Sequence, residues 1–157
     1  MTPAVIVKPL AHKRELVPVL AQWFTSEWPQ WYGPGGQGSA ASDLDEFAAS
    51  EFKLPVGMVI FENQVPVGAG ALKAQSIPSH PHLSPWAAAG YVLPSHRGRG
   101  LGAILLSALV EKANALGFEH VYCGTSTAER LLARAGWRSL EVVVHAGKPL
   151  TIFQSAA

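Results

Sequence analysis

The sequence predicts an α/β fold, a mixed sheet with helices packed over it rather than a regular alternation of strand and helix. Three observations carry this. Short β-branched or apolar runs bounded by turn residues recur along the chain. Two longer stretches, one early and one late, carry apolar residues at helical spacing. The order of elements reads β-α-α-β-β-β-α-β-α-β-β, so three strands fall together between helices.

Ala4 to Leu10 reads as the first strand, with Val5, Ile6 and Val7 β-branched. From His12 the pattern changes, and Leu16, Val19, Leu20, Trp23 and Phe24 form a helical stripe. Pro18 inside it is expected to bend or split that helix. Trp28 to Gly38 is rich in Gly and Pro and reads as a loop with an unusual load of aromatics. Ser42 to Lys53 reads as a helix, with Asp43 and Asp45 in its first turn and Leu44, Phe47 and Ala48 on its apolar face.

Val56 to Phe61 and Val65 to Lys73 make a hairpin around Glu62-Asn63-Gln64. Ser76 to Pro85 is a proline-rich loop that holds His80 and His82. Trp86 to Leu93 completes that group of strands, although its alanines and Gly90 are poor strand formers. Gly100 to Leu116 is the clearest helix, with Leu101, Ile104, Leu105, Ala108, Leu109 and Ala113 on one face and Gly117 as its stop. Phe118 to Gly124 is a strand, Thr127 to Ala135 a short helix ended by Gly136, and Trp137 to His145 and Leu150 to Phe153 are closing strands around the turn Ala146 to Pro149.

The composition narrows the functional classes. At 157 residues, with 48% hydrophobic and 15% charged residues, the chain reads as one globular domain spanning 1–157. A net charge of +1 argues against a dedicated nucleic-acid binder. Cys123 is the only cysteine, which excludes an intrachain disulfide and fits a reducing compartment. Met1 to Lys8 lacks a basic segment followed by a long apolar run, and no stretch has the length to span a bilayer. The expected location is therefore cytoplasmic, with no membrane partner. No ligand cluster calls for a metal.

The chemistry concentrates in Arg97-Gly98-Arg99-Gly100-Leu101-Gly102. Alternating glycines let a backbone turn tightly and approach a ligand. The helix that follows offers free N–H groups and the positive end of its dipole. Together they make an anion site suited to a phosphate or pyrophosphate, with Arg97 and Arg99 supplying charge-assisted contacts. The plain alternative is a helix start flanked by surface arginines. A dinucleotide fingerprint is a further alternative, since Gly98, Gly100 and Ala103 fit G-x-G-x-x-A and Glu119 lies near the place of a ribose-binding acid. That motif, however, normally follows the first strand of a long βαβαβ array, and here the chain ends at Ala157.

The run Tyr91-Val92-Leu93-Pro94-Ser95-His96-Arg97-Gly98-Arg99-Gly100-Leu101-Gly102 resembles the acetyl-CoA signature of the GNAT acetyltransferase superfamily. That signature is Arg or Gln, two residues, Gly, one residue, then Gly or Ala, and Arg97, Gly100 and Gly102 fill its fixed places. The likeness continues through the helix, through Val121-Tyr122-Cys123, and into Leu132-Ala133-Arg134-Ala135-Gly136-Trp137, which is similar to the family's second CoA-proximal element. About the last two thirds of the chain take part, and the first third matches in layout.

The resemblance implies a six- to seven-stranded, mostly antiparallel sheet with helices on both faces. It implies acetyl-CoA as cosubstrate, held where the parallel strands Trp86–Leu93 and Phe118–Gly124 splay apart. Gly90 is consistent with a bulge there. Tyr91, Val92 and Leu93 would pair with the pantetheine arm, Arg97, Gly98, Arg99, Gly100, Leu101 and Gly102 would hold the pyrophosphate, and the Val92 N–H would polarise the thioester carbonyl. The reaction implied is direct attack of an amine, from a small molecule or a peptide, on the thioester. Folds of this family often pair as homodimers.

The proton-transfer groups are not carried over. The family's usual acid is a Tyr four residues before the Gly of the second element, and that place holds Leu132. Trp86 to Leu93 contains no carboxylate base. Glu27 is a candidate base, with a solvated helix end as its plain reading. Tyr122 and Ser126 are candidate acids, with core packing and a helix cap as theirs. Trp28, Trp31 and Tyr32 would form a substrate wall or pin the loop to the domain, and His80, His82 and Trp86 border the same groove. Cys123 reads as a buried strand cysteine rather than a nucleophile. The missing acid also motivates a different class, a non-catalytic CoA-binding module, and the glycine pattern leaves an NAD(P)-dependent enzyme as a third.

Overall fold

The computed structural model describes residues 4–156. Met1 to Pro3, part of the stretch read for a leader, and Ala157 lie outside it. One seven-stranded sheet has the order β1-β2-β3-β4-β5-β7-β6. Its strands are β1 (Val5–Pro9), β2 (Val56–Glu62), β3 (Val65–Lys73), β4 (Trp86–Val92), β5 (Tyr122–Thr125), β6 (Arg138–His145) and β7 (Lys148–Gln154). Every neighbouring pair is antiparallel except β4 with β5. A single parallel pair excludes the βαβαβ array that a dinucleotide fingerprint requires.

The helices are α1 (Val17–Glu27), α2 (Pro29–Tyr32), α3 (Ala40–Phe47), α4 (Leu101–Ala115) and α5 (Glu129–Arg134). They cover both faces of the sheet. Leu101, Leu105 and Leu109 of α4 and Leu132 of α5 pack with Val56, Met58, Ile60 and Val67. On the other face Leu20 and Phe24 of α1 and Leu44 and Phe47 of α3 pack with Val59, Phe61, Ala69 and Tyr91. The alternation of the strands explains this division, because successive residues of β2 point to opposite faces.

Several boundaries differ from the sequence expectation. Pro18 neither bends nor splits α1; it sits in the first turn, where its missing N–H has no partner to lose. Two short 3₁₀ turns, Leu10–His12 and Arg14–Leu16, precede it. The loop expected over Trp28 to Gly38 contains the single turn α2. The helix α3 starts earlier than Ser42 because Ser39 caps it, its hydroxyl accepting the Ser42 N–H at 3.2 Å. It also ends at Phe47, ahead of the expected Lys53.

β5 is shorter than the expected Phe118 start. Val121 is held by Ser155, whose Oγ accepts its N–H at 2.8 Å and whose own N–H bonds the Val121 carbonyl at 2.8 Å. β7 begins at Lys148 rather than Leu150, since Ala146 (φ 52°) and Gly147 (φ 78°) alone make the turn. Two consecutive left-handed residues form the tight hairpin turn whose twist suits flanking strands.

Candidate functional site

The candidate site is a fork in the sheet. Between β4 and β5 only Trp86 and Tyr122 are in register. Beyond that pair β5 turns to β7, where Cys123 faces Phe153 and Gly124 faces Ile152, while β4 stays on β3 as far as Val92. Trp86 and Tyr122 also pack ring to ring at 5.9 Å, which closes the base of the fork.

β4 carries a bulge inside the fork. Ala71 faces Ala88 and Ala69 faces Tyr91, so β4 holds one residue more than β3 across this interval. The bulge spans Ala89 and Gly90, and the left-handed residue is Ala89 (φ 55°), not the glycine. After it, the Leu93 N–H donates to the Val67 carbonyl at 2.8 Å. Neighbouring residues of an antiparallel strand send their peptide groups to opposite sides. The main-chain N–H and carbonyl of Val92 therefore face away from β3, into the fork. Of Tyr91, Val92 and Leu93, only Val92 presents them there.

Past β4, Pro94–His96 forms a 3₁₀ turn and leads to the glycine cradle. Gly98 (φ 79°) and Gly100 (φ 82°) are both left-handed, a conformation that costs an L side chain about 1–2 kcal/mol. Gly100 is the residue that opens the 15-residue helix α4. The Ile104 N–H bonds the Gly100 carbonyl at 3.2 Å, so the first-turn N–H groups ahead of it have no intrahelical acceptor. A Cβ built on Gly98 or Gly100 meets nothing within 4 Å, so an anion has room to approach the backbone. The cradle expected from the sequence thus has the free donors, the open approach and the dipole of an anion site.

The two arginines do something the sequence reading does not anticipate. Arg97 turns back onto the strand end. Its Nε donates to the Val92 carbonyl at 2.7 Å, Nη2 donates to Glu27 Oε2 at 3.1 Å, and its guanidinium lies 5.4 Å from the centre of the Tyr91 ring. Arg99 donates from Nη2 to both oxygens of Glu62, at 2.7 and 2.9 Å. His96 lies 3.8 Å from the same carboxylate and accepts or donates with Ser95 Oγ at 2.8 Å. Each arginine therefore has a carboxylate partner from a distant element. Glu62 was not among the sequence candidates; its partner is 37 positions away, and no local pattern signals such a pair.

Other candidates divide clearly. Glu27 is at the end of α1 and is brought to the fork by Arg97. Trp28 and Tyr32 are half-buried and packed against Phe24, with centroids at 5.1 and 6.2 Å. The Tyr32 hydroxyl donates to Asp43 Oδ2 at 2.7 Å, and burial with that carboxylate raises its pKa. These two residues pin the loop, and only Trp31 is exposed. Trp86 is fully buried with Ile77 and Ile152, and its Nε1 donates to the Leu83 carbonyl at 2.8 Å, so it belongs to the core rather than to a substrate wall.

His80 lies against Glu141 of β6 and stacks on His82 at 5.5 Å. Tyr122 is half-buried beside Trp86. Ser126 is exposed and does not cap α5, which has no side-chain cap; Thr125 holds the turn ahead of it, its Oγ1 accepting the N–H groups of Thr127 and Ala128 at 3.1 and 2.9 Å. Leu132 is buried among the core residues beneath α4. Burial pushes the Cys123 thiol up to about 11, so it stays protonated near neutrality. Among the described residues no helix is long and apolar enough to cross a membrane.

The fold has many solved counterparts. An N-acetyltransferase from Staphylococcus aureus Mu50 is 14% identical, with a TM-score of 0.76 over 98% of each chain. An aminoglycoside 6'-N-acetyltransferase solved with coenzyme A is 15% identical, with a TM-score of 0.76 over 96% of each chain. A Salmonella typhimurium protein solved with acetyl-CoA as its cofactor is 20% identical, with a TM-score of 0.73, covering 98% of this chain and 94% of its own. No curated protein matches in sequence. The model of the acetyltransferase (GNAT) family matches residues 19–137, from the first turn of α1 to the residue before β6. With that match added to the fork, the bulge and the glycine cradle, the chain belongs to the GNAT family of acetyltransferases.

Proposed function

We propose that the chain, as a single domain over 1–157, transfers the acetyl group of acetyl-CoA to a primary amine of a small molecule or peptide, by direct attack in a ternary complex. One observation carries this reading. The fork between β4 and β5 opens directly beside the cradle, so a ligand with a pyrophosphate at Gly98–Gly102 can extend an arm past Val92. Acetyl-CoA has that shape and charge.

The residues take the following parts. The backbone from Gly98 to Gly102 binds the pyrophosphate through free N–H groups and the α4 dipole. The Val92 N–H donates to the thioester oxygen, where negative charge develops as the amine attacks. Most of the rate comes from holding amine and thioester together. Glu27 stands at the mouth of the fork, draws the acceptor's ammonium there and passes its proton to solvent. The acceptor lies on the α1 face, between Trp31 and the loop that carries His80 and His82.

No side chain is assigned to protonate the leaving thiolate. Leu132 is buried, Tyr122 packs on Trp86, and Ser126 lies beyond the end of β5, so solvent supplies that proton. A thiolate is a good enough leaving group for this to suffice. The experiment is release of free thiol from acetyl-CoA across a broad panel of amines. Amine-dependent release supports the reading; tight acetyl-CoA binding with no release from any amine would instead mark a CoA-binding module.

A further inference from the structure

The Arg97 side chain is the part of the cradle whose placement departs most from its expected use. The motif position suggests a phosphate ligand. Its guanidinium instead spans three groups: the Val92 carbonyl through Nε, Glu27 through Nη2, and the Tyr91 ring. All three bear on the strand end that faces the fork.

The consequence is chemical. A strand residue that turns its N–H into an opening turns its carbonyl there too. An oxygen carrying developing negative charge would be attracted by the Val92 N–H and repelled by the Val92 carbonyl. The Arg97 Nε at 2.7 Å occupies that carbonyl. A guanidinium is a planar donor that keeps its charge at any ordinary pH, so it reverses the local field where the carbonyl alone would be negative. Glu27 fixes the other end of the fork-shaped donor, and Tyr91 lies beneath its plane. Tyr91 is itself held by Trp23 at 5.5 Å and is buried. These three contacts place the half-exposed guanidinium at the strand end rather than over the glycines.

We infer that Arg97 is a positioning residue for thioester polarisation, acting through Val92, and not a phosphate ligand. Glu27 has a second part in holding it there. The inference rests on the acetyl-CoA reading above, but it separates two neighbours in the motif. The glycines set cofactor affinity, and the Arg97 side chain sets the field at the reacting carbonyl.

The test needs no acceptor. Acetyl-CoA carrying ¹³C at the carbonyl is bound to the protein, and its carbonyl stretch is read by isotope-edited infrared difference spectroscopy. Affinity for CoA, which lacks the acetyl group, is measured by calorimetry. In wild type the bound carbonyl band moves to lower frequency than in water. Arg97→Ala is expected to lose at least half of that shift while CoA affinity stays within threefold. Arg97→Gln keeps one N–H for the Val92 carbonyl and is expected to retain an intermediate shift, which also covers the case in which the alanine variant does not fold. Gly100→Asp is expected to lose CoA binding.

A full wild-type shift in both Arg97 variants would overturn the inference, as would a loss of CoA affinity with the shift intact. Absence of CoA binding in wild type would overturn the acetyl-CoA reading itself, and the inference with it.

Discussion

Trp86 and Tyr122 are the one registered pair between the two parallel strands, and their rings pack at 5.9 Å. The Tyr122 N–H also bonds the Pro85 carbonyl at 2.9 Å, so the strands are joined at this level and separate above it. The fork thus has an apolar hinge of large side chains, and its opening is set by packing. Trp86→Ala removes a fully buried indole, for which a loss of about 3–5 kcal/mol is expected. Urea denaturation measures this. A stability within 1 kcal/mol of wild type would show that the base of the fork is held by something else.

Leu132 stands where the family places its acid, and it is buried in the core against α4. Leu132→Ala is expected to cost about 2–5 kcal/mol. Per folded molecule, at a temperature well below the melting point, turnover should stay near wild type because no proton passes through this position. Activity normalised to the folded fraction checks both halves, and a hundredfold loss of normalised rate would restore a catalytic part for α5.

Tyr32 is neutral in the folded state because burial, first, and then Asp43 raise its pKa above the ordinary value of 10.0. A group whose pKa is raised on folding contributes stability below its unfolded pKa and loses it above. Stability is therefore expected to fall as pH rises past 10, and Tyr32→Phe should flatten part of that decline while costing about 1 kcal/mol at neutral pH through the lost hydrogen bond. Urea midpoints between pH 7 and 11 test this, and parallel curves for the two proteins would exclude it.

Cys123 has its thiol pushed up to about 11 by burial on β5. In the native protein it should react with a thiol reagent at neutral pH far more slowly than in denaturant, and Cys123→Ser should keep acetyl transfer. Rapid native-state labelling that abolishes activity would argue for a nucleophilic part.

Much of this architecture is readable from the residues. Val65 to Lys73 coincides with β3, and the leucine stripe from Leu101 gives α4 because local periodicity and burial agree there. The cradle is readable for the same reason: glycines at left-handed positions before a helix are a local signal. What escapes is non-local. α3 starts ahead of Ser42 because Ser39 caps it, and Thr125 rather than Ser126 holds the turn before α5, because several adjacent hydroxyls compete and only geometry decides. The aromatics of the Trp28–Gly38 loop divide into two half-buried anchors and one exposed ring by tertiary contacts alone. The partners of Arg97 and Arg99 lie at Glu27 and Glu62, and spacing along the chain cannot reveal them.

The central claim is that Gly98 to Gly102 and the fork together hold acetyl-CoA. Thermal denaturation with acetyl-CoA, CoA and NAD(P), in wild type and Gly100→Asp, tests it most directly. A ligand that binds only the folded state raises the melting temperature in proportion to the logarithm of its excess over Kd. The account predicts a rise with acetyl-CoA and CoA, none with NAD(P), and none with any of them in the aspartate variant, whose carboxylate would sit in the anion cradle. No rise with acetyl-CoA in wild type, or an equal rise in Gly100→Asp, would contradict it.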